Sequence, residues 1–354
     1  MGDRKIKCPN CHQHALVQPG ATRQVCNRCL KHENQSVDDS CFPKGCLQPF
    51  LKMRSSSASI GSDATSQRMV DWPNPIYSPS SGHQPKKALI CGVSYIGQKF
   101  MLKGTINDVR KMTSLLIDKY KFPAQAICVL TEDGNSHFPP TRTNIEMALR
   151  WLVSGCQSGD SLVFYFSGHG LRQPDFDDDE LDGFNETLCP MDYSRNGMIL
   201  DNDINTTIVK PLVHGVQLHA IIDSCHSGTV LELEYLYDRE SRQWKSNKPP
   251  SGVSKSTSGG LAICLGACAD NEYAVDANAL SREMSGAMTY VFTEVIKKNP
   301  SMTYGQLLDE MILKIGEANK AAGYLKWLLR TKSIKKPLLS SSKEFDVDTT
   351  KFSL

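Results

Sequence analysis

The sequence predicts an open, mostly parallel α/β sheet with helices on both faces, preceded by a small N-terminal zinc ribbon. From about residue 87 onward, apolar stretches of strand length alternate with segments that have apolar residues at helical spacing. Continuous rather than alternating apolar strands, interleaved with helices, are typical of a parallel sheet buried on both faces. The first 29 residues instead contain two Cys-x-x-Cys pairs and few apolar residues, which is typical of a small metal-bound module.

Nine elements follow from this pattern. The predicted strands cover residues 88–94, 126–130, 161–166, 217–223 and 261–265. The predicted helices cover residues 106–119, 143–154, 285–298 and 303–318. Thr143 and Glu146 have the spacing of a capping box, which predicts that the second helix begins there.

Composition divides the chain into three zones. Residues 1–46 are rich in cysteine, and residues 47–86 are rich in Ser and Pro with few apolar side chains. The second zone cannot bury enough surface to offset the entropy of ordering it, so we predict a flexible linker. Residues 87–354 form the predicted folded domain.

Charge and hydropathy exclude several classes of partner. The net charge of the 354 residues is +2, so no overall field favours nucleic acid or an acidic membrane. Apolar runs are too short to cross a bilayer, and residues 1–7 are polar and basic, unlike a secretory signal. We therefore expect an intracellular protein, cytoplasmic or alternatively nuclear, that binds neither nucleic acid nor membrane. An odd count of 13 cysteines favours metal ligands and free thiols over a disulfide framework.

The N-terminal cysteines have the spacing of a four-thiolate zinc site. The predicted zinc ligands are Cys8, Cys11, Cys26 and Cys29. So small a segment needs the metal to fold. His12 and His14 are alternative ligands, and Cys41 and Cys46 lie just beyond. The segment resembles the lesion-simulating-disease-type zinc finger of plants, which implies binding to regulatory zinc-finger proteins or other protein partners rather than to DNA.

A cysteine and a histidine follow two of the predicted strands. One strand leads into Ser167-Gly168-His169-Gly170, and another leads into Asp223-Ser224-Cys225-His226. Function gathers beyond the carboxyl ends of parallel strands. If these strands are neighbours, His169 and Cys225 lie side by side at one edge of the sheet.

That pair has the chemistry of nucleophilic catalysis. An imidazole activates a neighbouring thiol and later protonates the leaving amine. Backbone N–H groups of Gly170 and Cys225 are the predicted donors to the oxyanion. A buried cysteine alone usually serves packing, and a histidine after a strand is usually a structural polar residue. His226 is the rival base, but it leaves the same turn as Cys225.

The same segments resemble the metacaspases, caspase-like cysteine proteases of plants, fungi and protists. The resemblance rests on YFSGHG and IIDSCHSGT, with LKGTINDV, NETLCPMD, INTTIVKPL and the C-terminal FDVDTTKFSL. The cysteine-rich start is similar to that of the plant type I subgroup. The resemblance implies a caspase-like fold and a monomer. It also implies a His169–Cys225 dyad, peptide cleavage after Arg or Lys, and activation by calcium.

Selecting Arg or Lys requires carboxylates in the pocket, because a buried cation needs a partner. The candidates are Asp108, Ser167 and Asp223, each of which matches a pocket position of the metacaspases. Thr105 stands where the family usually has Cys. An alternative role for Asp108 is capping of the helix start.

Calcium ligands are implied by the resemblance. Residues 175–186 mimic a helical-hand loop, but Glu180 replaces its required Gly and no helices flank it, so we reject that motif. The family instead implies Asp201, Asn202, Asp203 and Glu232, with an acidic residue of the 182–186 turn. Asn202 and Glu232 both replace the usual Asp.

Self-processing is a further hypothesis. Residues 232–260 are predicted to be a polar loop with five basic residues, and residues 236–260 are the predicted processing loop. It would divide a large part, about 87–235, from a small part, about 261–354. Lys86 and Lys87 are a second candidate for self-cleavage. The resemblance also implies a zymogen that acts in programmed cell death or stress response. The alternative hypothesis is an inactive caspase-like adaptor that acts through its zinc finger.

Overall fold

The computed structural model describes residues 85–134, 138–175, 183–225, 227–249, 251–267, 286–321 and 336–354. It also describes the backbone of two short strands, β1 (Arg4–Lys7) and β2 (His14–Val17), which pair antiparallel. The four predicted zinc ligands and the linker up to residue 84 lie outside the described residues.

An eight-stranded sheet forms the centre of the folded domain. Its strands are β3 (Lys86–Gly92), β4 (Ile127–Leu130), β5 (Ser161–Ser167), β9 (Gln217–Asp223), β10 (Tyr235–Asp238), β11 (Gln243–Ser246), β12 (Leu261–Gly266) and β13 (Leu338–Ser341). They lie side by side in the order β11-β10-β13-β12-β9-β5-β3-β4. The pairs that join β4, β3, β5, β9 and β12 are all parallel. The predicted mostly parallel α/β sheet is thereby confirmed.

Helices cover both faces of this sheet. The helices are α1 (Thr105–Asp118), α2 (Arg142–Val153), α3 (Tyr193–Asn196), α4 (Asp201–Ile204), α5 (Ala287–Lys298) and α6 (Tyr304–Ala321). One apolar core joins α1, α5 and α6 to the sheet, with Ile90, Leu116 and Phe292 fully buried. A second core on the opposite face joins α2 to residues that alternate with these along each strand, such as Leu89 and Phe164.

A smaller antiparallel sheet extends from the carboxyl edge of the main sheet. It contains β6 (Gly170–Pro174), β7 (Phe184–Leu188) and β8 (Ile199–Leu200). β6 begins directly after His169, and α4 begins directly after β8. The small sheet therefore connects the predicted catalytic histidine to the predicted calcium ligands of α4.

The start of α2 differs from the prediction. Its N-cap is Thr141, whose hydroxyl accepts the N–H of Asn144 at 3.3 Å. The carboxylate of Glu146 pairs with the Arg142 guanidinium at 2.8 Å and so does not complete a capping box with Thr143. The predicted capping box is wrong because a threonine two residues earlier caps the helix.

The segment predicted to be a polar loop contains a β-hairpin. Strands β10 and β11 pair antiparallel, and β10 joins the main sheet through β13. Trp244 anchors the hairpin, because its indole N–H donates to the Phe345 carbonyl at 2.8 Å and its ring packs against Tyr237. The hairpin depends on strand pairing and on aromatic contacts with a distant segment, so the local sequence pattern gives little signal.

No helix within the described ranges is both long and apolar enough to span a bilayer.

Candidate active site

The predicted catalytic residues leave two neighbouring strands at the same level. Strands β5 and β9 are parallel, and Ser167 lies opposite Asp223 at their carboxyl ends. Beyond these partners, the N–H of Gly168 donates to the Asp223 carbonyl at 3.4 Å. His169 lies two residues after Ser167, and Cys225 lies two residues after Asp223. Chain register alone therefore brings both turns to one edge of the sheet.

Gly170 allows the two turns to approach each other. A methyl group built on Gly170 would lie 2.1 Å from the carbonyl oxygen of Cys225 and 3.2 Å from the hydroxyl of Ser224. No side chain fits in that space, so the backbone after His169 lies directly against the backbone of the Cys225 turn. Cys225 is not part of a disulfide and is buried. The rival base His226 lies outside the described residues.

The imidazole of His169 has a defined hydrogen-bond partner. Its Nε2 lies 2.8 Å from the carbonyl oxygen of Phe100. Since a carbonyl only accepts, Nε2 carries the proton and Nδ1 carries the lone pair. Burial lowers the pKa of His169 to about 4, although the hydrogen bond to Phe100 opposes this. The ring is therefore neutral at pH 7, with its lone pair on Nδ1.

The predicted pocket residues lie together beside the dyad. The hydroxyl of Ser167 donates to Asp108 Oδ2 across 3.4 Å, and Asp108 is fully buried. A methyl group built on Gly286 would lie 2.2 Å from Asp223 Oδ2 and 3.1 Å from Asp108 Oδ2. The two carboxylates thus converge on one point at the start of α5.

Groups at the start of α5 donate hydrogen bonds to one oxygen of each carboxylate. The N–H of Gly286 donates to Asp108 Oδ2 at 2.8 Å. Thr289 donates to Asp223 Oδ2 from both its N–H, at 2.9 Å, and its hydroxyl, at 2.6 Å. Sequence reasoning missed Thr289, because no motif marks a helix start 66 residues after its acidic partner.

The substituted position Thr105 is buried and lies at the start of α1. Its hydroxyl forms a 2.6 Å hydrogen bond with the hydroxyl of Ser94. Thr105 thereby connects α1 to the turn that follows β3.

Two of the four predicted calcium ligands, Asn202 and Glu232, contact a lysine ammonium. Lys255 Nζ lies 2.5 Å from Asn202 Oδ1 and 2.5 Å from Glu232 Oε1, and both Lys255 and Glu232 are buried. Asp201 is fully buried. Burial is the main reason that the pKa of its carboxyl is raised well above the ordinary value, and the nearby charge of Glu232 raises that pKa further. Sequence reasoning missed Lys255 as a member of this cluster.

Two neighbouring acidic side chains, Asp203 and Glu186, lie close to arginine side chains. Asp203 is half exposed and its carboxylate lies 3.9 Å from the Arg142 guanidinium. Glu186, in the turn predicted to supply one acidic ligand, is buried. Its carboxylate accepts from Arg172 Nε at 3.0 Å and from the Thr229 hydroxyl at 2.8 Å. The Glu186 N–H donates to Asp201 Oδ2, so both residues belong to one network.

Comparison with known proteins identifies the family. Residues 86–234 match the family described as metacaspase, peptidase C14 domain. Metacaspase-1 of Arabidopsis thaliana is 44% identical over 312 residues, which cover 86% of this chain and 81% of that protein. The chain belongs to the metacaspase family. Metacaspase-3 of the same plant is also 44% identical, over 76% of this chain and 75% of that protein.

Solved structures support the fold alone. A crystal structure of a protein from Geobacter sulfurreducens superposes with a TM-score of 0.51 at 20% identity, and covers 76% of this chain and 99% of that chain. Family membership makes this metacaspase a caspase-like, cysteine-type endopeptidase with protein or peptide substrates.

The two lysines at the start of β3, Lys86 and Lys87, form hydrogen bonds within the fold of this metacaspase. Lys86 Nζ donates to the carbonyls of Tyr120 and Leu354 at 2.7 and 2.8 Å. Lys87 is buried, and its ammonium caps the end of α2 through the Ser154 carbonyl at 2.5 Å. Both residues belong to β3, so cleavage after either requires that strand to leave the sheet.

Proposed function

We propose that this metacaspase cleaves peptide bonds after Arg or Lys through a Cys225–His169 dyad. The observation that carries the proposal is the register of β5 and β9, which sets the two turns at one level. In the proposed reaction the Cys225 sulfur attacks the scissile carbonyl and its proton passes to His169 Nδ1. That proton then moves to the leaving amine, while the N–H groups of Gly170 and Cys225 bind the oxyanion.

Basic specificity is proposed for the carboxylates of Asp108 and Asp223, with Ser167 between them. Two buried carboxylates that converge on one point form an environment that a guanidinium or ammonium group can neutralise. Their present partners are backbone and hydroxyl donors of α5. The guanidinium or ammonium group of a substrate would replace those neutral donors and form charge-assisted hydrogen bonds with the two carboxylates.

Calcium activation is proposed to act through Asp201, Asn202 and Glu232. Their oxygens are the hard donors that calcium prefers. Glu232 Oε2 is buried and has no hydrogen-bond partner among the residues described, which leaves it available to a cation. Lys255 would have to leave, and Asp203 would join only after turning from Arg142. A bound calcium ion would supply two positive charges to this cluster in place of one.

Autocatalytic processing is proposed at Arg239 or Arg242 in the turn between β10 and β11, since Lys255 is buried.

The N-terminal module, the biological role and the oligomeric state are also part of the proposal. The N-terminal module would bind zinc and regulatory proteins, and the activity would serve programmed cell death or stress response. A monomer is proposed because β10, β11 and β13 cover the sheet edge beyond β12.

An inactive adaptor is the second candidate. It is favoured by the occupation of both pocket carboxylates by α5. Fluorogenic Arg and Asp peptides, offered to the purified full chain with and without millimolar calcium, separate the two. The protease proposal expects Arg cleavage that requires calcium and is lost in Cys225→Ala. If folded protein cleaves neither peptide in any condition, the result favours the adaptor.

A further inference from the structure

Tyr95 contacts both the backbone and the ring of the proposed base, His169. Its hydroxyl accepts the N–H of His169 at 2.9 Å and donates to the carbonyl of Cys189 at 2.6 Å. Its ring lies 4.7 Å from the imidazole, with a tilt of 32°. The Cys189 N–H in turn donates to the His169 carbonyl at 3.0 Å. The tyrosine thus joins the turn of His169 to Cys189, the residue that follows β7.

The backbone of Tyr95 adopts an unfavourable conformation. Its φ is +54°, in the left-handed region that a bulky residue seldom occupies. Such a conformation persists only where the surroundings enforce it, and it clusters at functional sites. The side chain is nonetheless fully buried.

A single carboxylate stabilises this conformation. Glu132 accepts three successive N–H groups, from Ser94 at 2.5 Å, Tyr95 at 2.7 Å and Ile96 at 3.1 Å. Successive N–H groups in a tight turn form a concave anion site, and here the anion belongs to the chain itself. Glu132 follows β4, at the edge of the main sheet, so the sheet sets the position of the turn.

Gly168 and Phe100 also lie against the Tyr95 side chain. A methyl group built on Gly168 would lie 3.2 Å from the Tyr95 hydroxyl and 2.9 Å from the Phe166 ring. Glycine at this position therefore lets the tyrosine reach the His169 backbone. Phe100, whose carbonyl accepts from the imidazole, packs edge-on against Tyr95 with ring centroids 5.5 Å apart.

We propose that Tyr95, held in its left-handed turn by Glu132, is the positioning residue that fixes the plane and backbone of His169 for catalysis. Tyr95 does not touch the reacting atoms in this proposal, so it is not a catalytic residue. The inference rests on the proposed role of His169 as base. It adds a structural connection from Glu132 through Tyr95 to the imidazole.

The test compares Tyr95→Phe, which keeps the ring, with Tyr95→Leu, which removes it. Misplacement of a base by about 1 Å costs on the order of 100-fold in rate, so we expect kcat to fall about 10- to 100-fold in Tyr95→Phe and further in Tyr95→Leu, with KM within about twofold. Glu132→Gln should also lower kcat. All rates are referred to the concentration of active sites, so loss of folded protein does not mimic the effect.

Tyr304→Phe is the matched control. It also removes a buried tyrosine hydroxyl, bonded to His219 at 2.6 Å in the core of the other face. We expect it to lower stability and leave kcat unchanged.

A spectroscopic measurement gives an independent result. In protein labelled with 15N-histidine, the wild type should show His169 as the Nε2–H tautomer, and Tyr95→Leu should show a mixture. Unchanged kcat in both Tyr95 variants, or a His169 signal identical to that of wild type, would overturn the inference. Cys225→Ala in the same assay tests the dyad separately, since its retained activity would reject the proposed nucleophile whatever Tyr95 does.

Discussion

Substitution of Gly170 by alanine should disable the dyad without removing either member. The new methyl group would lie 2.1 Å from the carbonyl oxygen of Cys225. Cβ atoms essentially never approach a neighbour closer than 3.0 Å, so one of the two turns must move by about 1 Å. Because the obstructing atom is backbone, no side-chain rotation relieves the contact.

The expected loss of activity is large compared with the loss of stability. A displacement of about 1 Å between reacting groups costs on the order of 100-fold in rate. Overpacking of this kind costs about 1–3 kcal/mol of the free energy of unfolding. We therefore expect kcat/KM of Gly170→Ala for an Arg peptide to fall about 100-fold while the protein remains folded.

The assay uses steady-state cleavage with calcium present, together with urea unfolding of the same samples. Gly316→Ala is the matched control, because a methyl group there meets nothing within 4 Å. Alanine in that helix should stabilise the protein by about 1 kcal/mol and leave kcat/KM unchanged. If Gly170→Ala cleaves as fast as wild type, the turns are not in contact as described and the oxyanion role of Gly170 fails.

Three further substitutions test the pocket, the acidic cluster and the core. Asp223→Asn should lower kcat/KM for Arg peptides by on the order of 100-fold, because a buried cation loses its paired charge; an equal loss on peptides with a neutral residue at that position would refute a role in specificity. Lys255→Met should tighten calcium binding at least about tenfold in calorimetry, since no ammonium competes for Asn202 and Glu232; unchanged affinity would place the ion elsewhere. Burial lowers the pKa of His219 to about 4 from 6.5. The unfolded chain therefore binds more protons, and up to about 3 kcal/mol of stability is lost as pH falls from 6.5 towards 4; urea unfolding at about pH 7.5 and about pH 4.5 should show a smaller acid loss in His219→Phe, and equal losses would refute this.

The central strands could be predicted because their signal is local. Strand β9 has the predicted bounds, 217–223, and β5 extends the prediction by one residue. Each is a largely apolar run whose side chains are buried on both faces of the sheet. The chemistry of the Cys225 and His169 turns is also local, so the sequence alone predicts a site at both strand ends.

The features that the sequence did not predict depend on contacts distant in the chain. Lys255 lies 53 residues from Asn202 and 23 from Glu232, and nothing in its own neighbourhood indicates that its ammonium is buried. Tyr95 is one aromatic residue after a strand, and its left-handed backbone is set by Glu132, 37 residues later. The hairpin of β10 and β11 has strands of four residues each, and β10 pairs with β13, about 100 residues away in the chain.

Covalent labelling of the nucleophile tests the central claim most directly. An Arg-based chloromethyl ketone combines the proposed side-chain preference with a group that alkylates an activated thiol. With calcium present, mass spectrometry of the labelled full chain should find one adduct, on Cys225, and none in His169→Ala or with an Asp-based reagent. An adduct on another thiol, such as the partly exposed Cys156, with Cys225 unmodified, would contradict the account.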